Sequence, residues 1–262
     1  MVWLASDTTK VPATTLSWAP TAQSRRARLL WMDQRWAEQY GQMFGMNQKA
    51  LSEARGFHDR ILRQHTDNDT IWFVNVVTAL LRGLILECEQ LNAGYEKSVR
   101  TMAWACRNLM EISVYTEYGL RSEENARELL DDMLMDELEI LSSFKKWFTA
   151  LEPALPTPEL DAVVKTFQDM KTDVGIKRKS HRTTRELARI LNREPDYEHA
   201  NKVSSKLIHP TAWSLLSQDL EKDDVLMRPY ICQAGWKYFA ESFLLIRKHV
   251  AHYGTKPVPQ AI

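Results

Sequence analysis

The chain has 262 residues, long enough for one large domain or two small ones, and 44% of them are apolar, enough to fill a packed core. Lys plus Arg (34) balances Asp plus Glu (34), so no global charge excess steers the protein onto nucleic acid or anionic lipid, and any such binding needs a local patch. Nine Gly and ten Pro are few for this length, which favours helices over turn-dense sandwiches and barrels.

Met1 to Lys10 turns polar at Ser6 without a basic lead or an apolar stretch of signal-peptide length, so secretion is not expected. Residues 1–20 read as an N-terminal extension. Thr21 to Met43 then repeats Leu29, Leu30, Trp36, Tyr40 and Met43 at helical spacing after the basic cluster Arg25, Arg26 and Arg28, and predicts a first helix. Asn47 precedes a second helix reaching about Gln64, and Asp67 to Thr70 offers turn and N-cap chemistry. The most apolar stretch, Ile71 to Cys88, carries Asn75, Thr78 and Arg82 and is short for a membrane span. It predicts a buried core helix ending near Gly94 as C-terminal cap, with no membrane partner.

Tyr95 to Tyr118 predicts another long helix closed by Gly119, and Ser122 opens the next with Glu123, Glu124 and Glu128 in its first turns, where acids favour the helix dipole. Three prolines between Glu152 and Glu159 interrupt any helix and mark a connection. Beyond it, Glu159 to Lys171 reads as a short helix and Lys177 to Arg193 as a basic one. Asp196 to Ile208 reads as a helix stopping at His209-Pro210, and Tyr230 to Tyr253 as the closing helix. With no sustained apolar–polar alternation, the fold class is all-α: a helical bundle of about 8–10 helices without a sheet. It occupies a single domain over 21–253, with the Pro-rich connection at 152–159 and a tail at 254–262. Cys88, Cys106 and Cys232 are odd in number and far apart, so neither a disulfide framework nor a Cys-x-x-Cys site is available and a reducing, cytoplasmic setting is expected.

Arg107 and Glu111 lie four apart on one predicted helix face with Trp104, Tyr115 and Tyr118. On a surface the acid is better placed before the base, so this order points to a cleft or a buried polar pair. Asn201, Ser205 and His209 recur every four residues, and Pro210 biases His209 out of the α region, presenting its imidazole at a helix end within reach of Ser205. No Gly-x-Ser-x-Gly elbow accompanies them, which argues against a serine hydrolase. Lys177 to Arg193 holds seven basic residues and one acid. Arg178, Arg182, Arg185 and Arg189 are candidates to grip phosphate, or else form a solvated face or a partner for the acidic stretch Glu123 to Glu139. His249-x-x-His252 and the carboxylates Asp131, Asp132, Asp136 and Glu137 lack metal-site patterns, so neither a metal nor a cofactor is expected.

Arg107-x-x-x-Glu111 followed by aromatics, and Tyr197, Ser204-Ser205 and His209-Pro210-x-x-Trp213 later, resemble the bacterial all-helical family of domain of unknown function 5677 over about Ile71 to Leu220. The resemblance implies an intracellular helical protein in which the Arg, Glu and His residues converge. It also implies kinship with HEPN domains of toxin and phage-defence systems, many of which are metal-independent ribonucleases. The HEPN spacing of Arg and His occurs here at Arg60…His65 and Arg193…His199, but 19 Arg and 7 His produce about 1.5 such matches by chance. The expected activity is therefore RNA- or nucleotide-directed chemistry at a composite centre. Arg107 would stabilise phosphate charge, His209 would act as acid or base with Ser205 beside it, and Glu111 would orient Arg107. The alternative is a non-enzymatic interaction module, in which these residues form a structural network and the charged helices contact a protein partner or a second copy.

Overall fold

The computed structural model describes residues 22–64, 71–151, 158–173, 175–176, 181–209 and 220–253. Among them there are eight helices and no strand: α1 (Ala22–Gln64), α2 (Ile71–Lys97), α3 (Val99–Gly119), α4 (Glu123–Leu151), α5 (Pro158–Asp173), α6 (Thr184–Ile190), α7 (Glu194–Ile208) and α8 (Leu220–Tyr253). The all-α bundle is as expected. No helix is long and apolar enough to cross a membrane. Residues 1–20, the tail 254–262, the turn Asp67 to Thr70 and all but the end of the Pro-rich connection lie outside the described residues. Contacts divide the chain into two units, Met1–Gly45 and Met46–Ile262. The described part of the first is the leading half of α1, and everything below, Gly45 apart, belongs to the second.

α3 is the axis of the second unit. Its buried residues include Met102, Ala103, Ala105, Cys106, Leu109, Met110, Val114 and Tyr118, spread over more of its circumference than one amphipathic stripe. α2, α4, α6, α7 and α8 all pack against it. α2 is the apolar core helix predicted, burying Val77, Leu81, Leu84, Cys88 and Leu91. It runs three residues past Gly94, which is therefore inside the helix and not its cap. A Cβ at Gly94 would stand 3.0 Å from the Met102 backbone nitrogen, so this glycine serves the close approach of α3. Ser98 caps α3, accepting from the Thr101 N–H at 3.4 Å.

Three further boundaries depart from the sequence reading. The predicted break at Asn47 is absent, because its buried side chain donates to Asn92 Oδ1 at 3.2 Å and Cys88 Sγ at 3.4 Å instead of capping a new helix. The basic helix is only Thr184–Ile190: Thr183 and Glu186 form a reciprocal capping box at its start, and Asn192 takes a left-handed φ of 59° just beyond its end. Pro229 lies inside α8, which begins ten residues before the predicted Tyr230. The end of α7 is as read, with His209 extended at φ −83°, ψ 148°.

α4 buries only Ala126, Asp132, Leu134 and Met135, all in its first half. Its second half carries the exposed side chains Ile140, Phe144, Trp147 and Leu151, and α5, which has no buried residue, packs on it. Lys145 Nζ and Asp161 Oδ1 join the two helices at 2.5 Å.

Candidate functional site

The predicted Arg107–Glu111 pair forms on α3, with Arg107 Nε donating to Glu111 Oε1 at 2.9 Å. The two side chains remain 29% and 25% exposed, so the pair is half-buried and not sealed in the core. A pair of this kind contributes about 0.2–0.5 kcal/mol, too little to hold the fold. α7 packs on α3 and carries half-buried Ser205 and, at its end, exposed His209. These two meet through the backbone, the His209 N–H donating to the Ser205 carbonyl at 3.2 Å. The aromatic stripe divides: Trp104 is exposed, whereas Tyr115 and Tyr118 turn inward to bond Thr184 Oγ1 at 3.1 Å and Glu128 Oε2 at 2.7 Å.

The basic run is laced to the protein's own carboxylates. Arg182 donates to Glu128 on the acidic helix α4 at 2.7 Å. Arg185 reaches Glu194 at 3.1 Å and Glu198 at 2.6 Å, and Arg189 reaches Glu194 at 2.7 Å. Hydrogen bonds from Arg189 and then Arg185 hold the Glu194 carboxyl down at about 2. A phosphate approaching these guanidiniums competes with carboxylates already in place. Arg178 lies outside the described residues.

Sequence reasoning missed two groupings. Arg193 donates to Asp196 at 3.0 Å and to Glu117 at 3.4 Å, and the Tyr238 hydroxyl donates to Asp196 at 3.1 Å, joining α7, α3 and α8. Burial first, and then the Asp196 charge, push the Tyr238 phenol well above its ordinary value. The Arg193–Asp196 spacing was visible around Pro195; Tyr238, 42 residues further on, was not.

The second grouping is a cavity of about 600 Å³ between α2, α3 and α4. It lies along the part of α4 in which that helix's buried residues end, at Met135. Val76, Ala79 and Gly83 of α2, Ile112 of α3 and Leu129 of α4 form apolar walls, with Met133 and Ile140 exposed beside them. Gly83 has no side chain to fill the space, and a Cβ there would already stand 3.2 Å from Ile112 Cδ1. Tyr115, Asp132, Asp136, Glu137, His181 and Arg182 supply the polar lining. Burial, opposed by the Thr184 hydrogen bond, raises the Tyr115 phenol, and the charges of Glu111, Asp136 and Asp132 add to the rise. Glu111 is one helical turn before Tyr115, so the Arg107–Glu111 pair borders this region. A second concavity, lined in part by Phe144 and Trp147, shares Asp136, Ile140 and His181 with it.

Asp136, Glu139 and His181 bring one ligand atom each within 4.8 Å of one another, the donor set among the described residues that could hold a divalent cation. His181 Nδ1 lies 3.1 Å from Asp136 Oδ1. Of these, only Asp136 belongs to the carboxylate cluster singled out in the sequence; Glu139 does not, and the arrival of His181 from the segment before α6 depends on the tertiary path. Comparison with known proteins found no matching family model, no matching curated protein and no matching solved structure.

Proposed function

We propose that the chain is a non-enzymatic helical binding module whose ligand site is the cavity between α2, α3 and α4. The observation that carries this reading is a concavity of about 600 Å³ with apolar walls and several convergent polar groups, the size and composition of a small-molecule site. Replacing Ala79 with Trp fills the space from a position exposed on α2. Wild type is expected to bind the neutral fluorophore Nile red saturably at one site, and Ala79→Trp to lose that binding while melting normally. Equal binding by both proteins contradicts the reading.

A second reading is favoured by the part-open Arg107–Glu111 pair and by His209 at the exposed end of a helix packed on the same α3. Under it the protein is an RNA- or nucleotide-directed enzyme of the HEPN-like toxin or phage-defence type, acting without metal. Arg107 would stabilise phosphate charge and His209 would exchange the proton. Labelled RNA in EDTA separates the readings. Cleavage by wild type, lost in folded Arg107→Ala and His209→Ala, supports the enzyme; absence of cleavage by wild type supports the binding module.

A further inference from the structure

The polar lining of the cavity is biased toward negative charge. Among the described residues, the lining carries the carboxylates Asp132, Asp136 and Glu137, the guanidinium of Arg182 and the imidazole of His181. The guanidinium is already bound by a fourth carboxylate, its Nε donating to Glu128 Oε1 at 2.7 Å, and His181 Nδ1 lies 3.1 Å from Asp136 Oδ1. Among these described groups the carboxylates outnumber the basic side chains. Asp132 is only 7% exposed, and a charge held there acts through a medium of lower effective dielectric than water. Its field and that of Asp136 reach the Tyr115 phenol, where they add to the rise that burial causes.

The apolar side of the cavity is equally specific. Ala79, Gly83 and Ile112 form uncharged wall that a hydrocarbon body can cover, and Tyr115 adds an aromatic ring to the lining. An aromatic face attracts a cation through its quadrupole, and an ammonium with alkyl substituents is desolvated more cheaply than a bare one. An anionic ligand would meet the carboxylates, and a neutral one would gain nothing from them.

We propose that the cavity takes a small organic cation, an ammonium head on an aromatic or alkyl body, with the head against Asp136 and Glu137 and the body against Ala79, Gly83 and Ile112. This assignment rests on the binding-module reading and names its ligand class.

Calorimetric titration in EDTA, which keeps divalent ions off Asp136, Glu139 and His181, tests it with three molecules of one shape. These are benzyltrimethylammonium, its neutral carbon isostere neopentylbenzene, and benzylsulfonate. The cation is expected to bind about tenfold more tightly than the neutral isostere, and the anion most weakly. Asp136→Asn with Glu137→Gln, both on the exposed face of α4, is expected to erase that preference while leaving neopentylbenzene binding unchanged. Neutral and cationic molecules binding alike, or the anion binding best, overturns the ligand class and leaves the cavity a binding site. No binding of any of the three overturns the cavity reading as well.

Discussion

At Gly235 the missing side chain lets α8 lie directly against α2 and α3. A Cβ there would stand 2.4 Å from Leu91 Cδ2 and 3.3 Å from Leu109 Cδ1, and both leucines are fully buried. Alanine gains about 1 kcal/mol of helix propensity over glycine, but overpacking a closed core costs about 1–3 kcal/mol. Gly235→Ala is therefore expected to lower stability in urea unfolding, whereas Gly45→Ala, with nothing within 4 Å, is expected to raise it by up to about 1 kcal/mol. The same burial governs the cysteines: it pushes the Cys88 and Cys106 thiols up to about 12, which leaves them protonated and chemically quiet at neutral pH.

The junction of α6 and α7 depends on Glu194, which Arg189 and Arg185 clamp from one side. Its folded value of about 2 lies below the ordinary 4.5, so the stability it contributes is present in full above 4.5 and is lost as pH falls toward 2. The melting temperatures of wild type and Glu194→Gln are expected to differ at neutral pH and to converge between those two values. A difference that stays constant to pH 2 contradicts the clamp. At this scale the sequence was informative wherever the signal was local. His209-Pro210 ended α7 where the proline bias placed it, and Arg107 and Glu111 paired because four residues make one helical turn. It misled where a polar residue had a distant use. Asn47 resembles a cap, yet its amide is taken up by Cys88 and Asn92, and Gly94 resembles a terminus but serves the approach of Met102. The basic run looked like a single helix, while its Thr183–Glu186 capping box, a four-residue signal, went unread.

Over the molecule as a whole, the candidate site could not be read from spacing, because its walls come from residues as far apart as Val76, Ile112 and His181. Periodicity predicts which face of a helix is apolar, but not that α2, α3 and α4 enclose a shared cavity. The basic run illustrates the reverse case: Arg182, Arg185 and Arg189 are conspicuous in sequence and are engaged in the fold by Glu128, Glu194 and Glu198. A cavity lined by acids and hydrocarbon, bordered by the Arg107–Glu111 pair, is the feature of this chain that most resembles a place where something binds.

Methionine-methyl NMR during titration with benzyltrimethylammonium tests that claim most directly. Met133 lines the cavity, while Met102 and Met110 are fully buried in the core around α3. A saturable shift of the Met133 methyl is expected, with Met102 and Met110 unmoved. A Met133 signal that stays fixed while the cation is bound elsewhere, or is not bound at all, contradicts it.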